Sequence, residues 1–240
     1  MTKHFFFDLD GTLTPSRSEI RAQDVATFEQ LCAQYDVVVV SGAQDSQMRK
    51  QLPERLNAKF YRLTQNGNKA FDPDGNEMWS EVFAPEQEKL VFATIEKWKH
   101  ELAIAVRDEN DLVEHRGSQI SYSLIGHEED RAKKAAYDPD GSAIKKILAQ
   151  RPADVAALTE AGVEVTVAGT TCFDFFLLGK NKGFHVARLA VQKGWDKDEC
   201  IYIGDALEPG RNDETVIGVL PTHAVKDPDD TFSFIKKMLD

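Results

Sequence analysis

The sequence predicts an α/β protein: a parallel-sheet domain built from two separated segments, with an α+β lobe inserted between them. Three observations carry this. First, Phe5-Phe6-Phe7, Val37-Val38-Val39-Val40 and Cys200-Ile201-Tyr202-Ile203 are short, unbroken apolar runs alternating with helical stretches. A strand buried on both faces reads this way, and such strands lie inside parallel sheets. Second, the texture changes near Glu81, where strands begin to alternate polar and apolar residues, and it returns near residue 180. Third, each apolar run ends in small or acidic residues: Asp8-Leu9-Asp10-Gly11, Ser41-Gly42 and Gly204-Asp205. Open α/β sheets bind ligands at the carboxyl ends of their strands.

In chain order, the aromatic strand runs into Asp8 and Asp10. Side chains two apart in extended chain point the same way, so both carboxylates can face one crevice. A hard cation such as Mg²⁺ would offset the like charges and leave room for phosphate oxygens. The 16–19 stretch, Ser-Arg-Ser-Glu, has capping-box spacing and predicts a helix start. That helix carries Ile20, Val25, Phe28, Leu31 and Cys32 on its apolar side. After the valine strand, Ser41 and Gly42 precede a helix beginning near Asp45. A hydroxyl and free backbone N–H groups at such a turn suit a phosphate.

Phe60 to Leu63 predicts a third strand, and Lys69-Ala70-Phe71 with Glu77-Met78-Trp79 a small hairpin. In the inserted lobe, a helix from Pro85 carries Val91, Ile95, Trp98 and Leu102. Strands are expected at 112–114, 120–125, 163–167 and 172–178. A polar helical region follows Glu128, interrupted by Asp138-Pro139-Asp140-Gly141, and a short helix ends at Gly162. In the returning segment Lys182-Gly183 opens a helix. Val216-Ile217-Gly218-Val219 is expected as another buried strand, and a helix with Phe232, Ile235 and Leu239 follows. The domains expected are 1–81 with 180–240, and 82–179, with hinges near Glu81 and Gly179.

The chain has 240 residues, ample for a large core. A net charge of -11 disfavours nucleic acid and anionic membrane as partners. No signal peptide or membrane-spanning run is evident. Cys32, Cys172 and Cys200 are scattered and odd in number, so a reduced, cytoplasmic protein is expected.

The stretch from Phe5 through Thr12 resembles the first motif of the haloacid dehalogenase-like (HAD) phosphotransferases, a hydrophobic strand followed by Asp-x-Asp-Gly-Thr. Its extension to Arg17 is similar to the eukaryotic-type phosphomannomutase branch. Ser41, Asn181-Lys182-Gly183, and Gly204-Asp205 followed by Asn212-Asp213 resemble the remaining motifs, in the family's order. The resemblance implies a Rossmann-like core with a cap of the 2B class, and phosphoryl transfer through an aspartyl-phosphate. By it, Asp8 is the nucleophile and Asp10 the acid and base. Mg²⁺ sits with Asp8, the Asp10 backbone carbonyl and Asp205, ordered by Asn212 and Asp213. Lys182 supplies positive charge.

The likeness extends into the lobe. Glu114-His115-Arg116, Ser123-Leu124-Ile125-Gly126, Glu129-Asp130-Arg131 and Gly169 through Asp174 each resemble a phosphomannomutase segment. They imply that Arg17, Arg116 and Arg131 hold a distal phosphate, and that Asp174 holds sugar hydroxyls. There are departures. His127 stands where that family has another phosphate-binding Arg, and Cys172 where it has Ser. A His is only partly charged at neutral pH and has no guanidinium fork. The altered anchor favours a sugar-phosphate phosphatase over a phosphomannomutase. The resemblance also implies dimers through the cap. A non-catalytic phospho-receiver or sugar-phosphate sensor is the alternative of another class, but it would not need Asp10 or a lid.

Overall fold

The computed structural model describes residues 2–56, 58–209 and 211–239, with the side chain of Arg131 left aside. They form two compact units: 1–80 together with 180–240, and 81–179.

The first unit is built on β1 (His4–Asp8), α1 (Ala22–Gln34), β2 (Asp36–Val40), α2 (Asp45–Gln51), β3 (Tyr61–Thr64), β4 (Lys69–Phe71) and β5 (Glu77–Ser80). The second contains α3 (Pro85–Leu102), β6 (Val113–His115), β7 (Gln119–Ser123), α4 (Arg131–Tyr137), α5 (Ser142–Ala149), α6 (Pro152–Glu160), β8 (Val163–Ala168) and β9 (Cys172–Leu177). The first unit resumes with α7 (Lys182–Lys193), β10 (Cys200–Gly204), β11 (Thr222–Ala224) and α8 (Pro228–Leu239).

The larger sheet has the order β11-β10-β1-β2-β3-β4-β5. Its first five strands are parallel, and β4 and β5 add an antiparallel edge. β1 lies between β10 and β2, with Asp8 opposite Val40. This position explains three consecutive aromatics. Phe5 and Phe7 pack with Phe28 and Leu31 of α1 and with Phe232 and Ile235 of α8. Phe6 faces the other way, into Val38, Val186, Leu189 and Tyr202. Each Phe is at most 1% exposed, and burial of such a side chain contributes roughly 1.5–3 kcal/mol. The strand that carries the two aspartates is therefore fixed by both cores.

The smaller sheet, β6-β7-β9-β8, is antiparallel throughout. Ile120, Tyr122, Phe173 and Phe175 pack with Trp98 of α3 in a separate core. The alternate positions form the other face, where Glu114 pairs with Ser121, and Ser121 with Asp174. The chain is thus a parallel-sheet α/β domain with an inserted α+β cap.

Two expectations fail. Val216-Ile217-Gly218-Val219 is not a strand: Glu214–Val216 is a 3-10 turn, and the outer strand is β11. Val216 is buried, but Ile217 is 53% exposed. The turn is closed by Val216 N on Asp213 O at 3.0 Å, and Gly218 takes φ 79°. Buried Val216 serves the core from a turn, so its apolar neighbours mimic a strand. The 16–19 capping box also fails. α1 begins at Ala22, with Arg21 at the cap position and no side-chain cap. Ser18 Oγ instead donates to Ser16 O at 3.2 Å, in a turn closed by Ser18 N on Pro15 O.

Candidate active site

Asp8 ends β1, where the buried strand delivers its carboxylate to the carboxyl edge of the sheet; it is 4% exposed. α7 starts against it. Asn181 caps that helix by accepting from Phe184 N at 3.0 Å, which sets Lys182 in the first helical position. Lys182 Nζ, 1% exposed, donates to Asp8 Oδ1 at 2.5 Å, Asp213 Oδ1 at 2.7 Å and Asn212 Oδ1 at 3.3 Å. Tyr202, on β10, donates its hydroxyl to Asp213 Oδ1 at 2.8 Å. Asp213 Oδ2 is buried with no hydrogen-bond partner among the described residues.

Asp205 follows β10. Its Oδ1 accepts from Thr12 Oγ1 at 3.0 Å, and its backbone N donates back to Thr12 Oγ1 at 3.0 Å. A Cβ on Gly11 would stand 2.7 Å from Asp205 Oδ2, and one on Gly204 would stand 2.4 Å from Asp213 Oδ2. Both positions require Gly for the carboxylates to close in.

Asp8, Asp205 and Asp213 each bring one oxygen within 4.8 Å of the others. One ammonium neutralises only part of this charge. Burial pushes the Asp8 carboxyl up to about 7 against the pull of Lys182, and Asp213 and Asp205 add to the rise. Burial alone would lower the Lys182 ammonium, but Asp8 and Asp213 outweigh it and hold it above its ordinary value. Burial, with Asp213 and Asp8 beside it, holds the Tyr202 phenol well above its usual range, so it stays a donor. A cluster of hard oxygens with surplus negative charge and one unsatisfied carboxylate oxygen fits a Mg²⁺-sized cation.

Asp10 is held differently. Its Oδ1 accepts from Gln51 Nε2 at 2.9 Å and from the Arg17 backbone N at 2.5 Å. Gln51 also donates to Thr14 Oγ1 at 3.1 Å. Ser41, 2% exposed, follows Val40 at the end of β2. Its Oγ accepts from Ala43 N at 3.0 Å, bracing the turn through Gly42. The side chain of Arg17 is exposed.

The cap places Asp174 on the polar face of its sheet, opposite Ser121. Asp174 accepts from Ser121 Oγ at 2.5 Å and from Gln119 Nε2 at 2.8 Å. Burial raises its carboxyl, opposed by those bonds and by Arg116 and His127. Arg116 is paired with Glu114, its Nε at 3.0 Å. His127 Nε2 contacts Ser121 O at 3.2 Å, and its Nδ1 lies 3.8 Å from Glu114 Oε1. Cys172 Sγ lies 3.7 Å from Thr171 Oγ1. Arg131 opens α4, but its side chain lies outside the described residues.

Several partners were not singled out from the sequence. Thr12 lies inside the Asp-x-Asp-Gly-Thr stretch, which was its signal. Tyr202 reads as an apolar strand residue, though it shares a strand face with Gly204. Gln51, on α2, carries no sequence signal. Among the described residues no helix is long and apolar enough to cross a membrane.

The chain is similar in sequence and fold to known proteins. The phosphomannomutase of Saccharomyces cerevisiae is 27% identical over 246 aligned positions, covering 97% of this chain and 92% of that one. The phosphomannomutase of Spinacia oleracea is 28% identical over 239 positions, covering 94% and 91%. Among solved structures, a haloacid dehalogenase-like hydrolase from Bacteroides thetaiotaomicron superposes with a TM-score of 0.70 at 15% identity, over 99% of this chain and all of that one. An IMP-nucleotidase from Plasmodium falciparum gives 0.69 at 14%, over 99% of this chain and 68% of that one. Residues 5–215 match the family model described as haloacid dehalogenase-like hydrolase. The chain is an enzyme of the haloacid dehalogenase-like hydrolase family.

Proposed function

We propose that this enzyme is a Mg²⁺-dependent phosphohydrolase of small sugar phosphates that works through an aspartyl-phosphate on Asp8. The observation that carries the reading is the buried ammonium of Lys182 bridging Asp8 and Asp213 beside an unsatisfied carboxylate oxygen. Mg²⁺, when bound by Asp8, Asp205 and Asp213, would reduce the repulsion between the Asp8 carboxylate and the phosphate oxygens. Lys182 fixes the Asp8 carboxylate and leaves Oδ2 to attack phosphorus. Asp10 receives both its hydrogen bonds on Oδ1. The proton it transfers is therefore carried on Oδ2. It goes to the leaving oxygen as the substrate P–O bond breaks, and is recovered from the water that attacks phosphorus as the bond to Asp8 breaks in turn. Ser41 Oγ and the N–H groups of its turn would hold the transferring phosphoryl oxygens. Asp174 would accept from sugar hydroxyls.

A second reading is favoured by the near-full-length likeness to phosphomannomutases: interconversion of mannose 1-phosphate and mannose 6-phosphate. Against it, Arg116 and His127 both face Glu114, a carboxylate that competes with a distal phosphate for them. The test supplies mannose 1-phosphate and Mg²⁺, with and without a sugar 1,6-bisphosphate, and follows free phosphate and mannose 6-phosphate together. Free phosphate without isomerisation is expected. Mannose 6-phosphate that depends on the bisphosphate, with little free phosphate, would establish the mutase. Asp8→Asn is expected to abolish either turnover in a folded protein. Retained turnover would sink the aspartyl-phosphate assignment.

A further inference from the structure

The loop that follows β3 adopts a backbone its residues do not favour. Gln65 and Asn66 both lie in the left-handed region, at φ 52° and 58°. Asn enters that region at small cost and Gln at more. The surroundings fix the conformation from several sides. Gln65 N donates to Ala43 O at 2.9 Å, and Asn66 N to Ser41 O at 2.8 Å. Asn68 Nδ2 donates to Gln65 O at 2.8 Å and to Lys180 O at 3.2 Å. Trp79 Nε1 donates to Gly67 O at 2.8 Å. Backbone held this firmly in a sparse region is a reason to look for a function at that point.

These bonds set Asn66 against the Ser41–Gly42 turn. A Cβ on Gly42 would meet Asn66 Oδ1 at 3.4 Å and Nδ2 at 3.9 Å, so the carboxamide occupies the space beside that Gly. Ser41 follows Val40, the register partner of Asp8. Asn66 is half-buried, and among the described residues nothing hydrogen-bonds its carboxamide. Neither the oxygen nor the nitrogen of that carboxamide is buried, so both are open to a ligand. Its two N–H donors suit an anion, and the net charge here is supplied by Lys182 rather than by Asn66.

We infer that Asn66 is a substrate-contact residue whose Nδ2 donates to an oxygen of the phosphoryl group held at the Ser41–Gly42 turn. The inference rests on the phosphoryl-transfer reading and adds a neutral donor to it. If Asn66 serves only to permit a left-handed backbone, Gly replaces it without loss, because Gly takes that conformation freely. If the carboxamide binds phosphate, Gly does not.

The experiment titrates inorganic phosphate, with Mg²⁺ present, into wild-type protein, Asn66→Gly and Asn66→Asp by calorimetry, beside their melting temperatures. Asn66→Gly is expected to melt no lower than wild type and to bind phosphate about tenfold more weakly, as for a hydrogen bond to a charged group. Asn66→Asp keeps the shape, adds a negative charge, and is expected to bind more weakly still. It carries the test if the Gly variant is unstable. Wild-type affinity in either variant overturns the inference, as does wild-type protein that binds no phosphate. Turnover of sugar phosphates by the wild type is measured separately. Phosphate binding that depends on Asn66 without any turnover would sink the enzymatic reading and leave the contact standing.

Discussion

Lys182 makes two buried carboxylates tolerable side by side. Its Nζ is the cation that touches both Asp8 and Asp213, and all three side chains are at most 5% exposed. Removing one partner of such a buried set leaves uncompensated charge and typically costs about 3–5 kcal/mol. Lys182→Met retains the length and loses the charge. In EDTA, where no cation can substitute, it is expected to lower unfolding free energy by about that amount in a denaturant titration. It is also expected to abolish turnover in Mg²⁺. A loss under about 1 kcal/mol, the scale of an exposed pair, would mean that the bridge carries no stability. At this scale the sequence was informative wherever a residue type is unusual for its place. An Asp on the end of an aromatic strand demands an explanation, and so does a Ser-Gly at the end of a valine run. It was silent for Gln51, an ordinary helix residue that happens to orient Asp10. Tyr202 likewise looks apolar until its hydroxyl meets Asp213.

The cap sheet sorts its side chains by strand period. β7 and β9 turn Ile120, Tyr122, Phe173 and Phe175 to the core, so Ser121 and Asp174 must share the other face. Asp174 is raised chiefly by burial, even with two donors on it. The sign follows from linkage. The folded state holds this proton more tightly than the unfolded chain does, so stability falls as pH rises from about 4, the usual carboxylate value, through the raised folded value. Asp174→Asn removes the buried charge, and the Gln119 amide can turn to accept from the new N–H₂ group. The variant is expected to melt higher than wild type at neutral pH, with the gain vanishing by about pH 4. Sugar-phosphate turnover is expected to fall by contrast, since an amide is a weaker acceptor for hydroxyls. A variant that melts lower at pH 7 would mean that the two bonds outweigh the desolvation. The elements themselves were largely legible, because period 2 and period 3.6 survive in the sequence. Val216-Ile217-Gly218-Val219 was not, since the pattern records burial and not hydrogen bonding. A turn whose Val216 is buried reads like a strand. Ser-Arg-Ser-Glu was misread because residues 15–18 close a turn of their own and the helix starts only at Ala22.

At the scale of the whole molecule, the described residues form three hydrophobic clusters that share no members, two on the faces of the larger sheet and one in the inserted unit. Phe5, Phe6 and Phe7 organise one unit, while Trp98, Phe173 and Phe175 organise the other. The change of texture near residues 81 and 180 reflects this directly, because the central strands of the parallel sheet are apolar on both faces and the cap sheet is apolar on one. Units with separate cores need not unfold as a single two-state system. Asp8, Asp205 and Asp213 all belong to the unit of 1–80 and 180–240. A cation held there stabilises that unit by mass action, about 2.7 kcal/mol at a hundredfold excess over its Kd, which is several degrees in a domain of this size. Scanning calorimetry of the full chain is expected to resolve two transitions, of which Mg²⁺ raises one and leaves the other in place. Asp213→Asn should lose that Mg²⁺-induced rise, because it replaces the buried Oδ2 pair with an amide. A single transition that moves as a whole would mean that the units unfold together. Two transitions that both ignore Mg²⁺, in protein that still turns over, would place the ion away from these carboxylates.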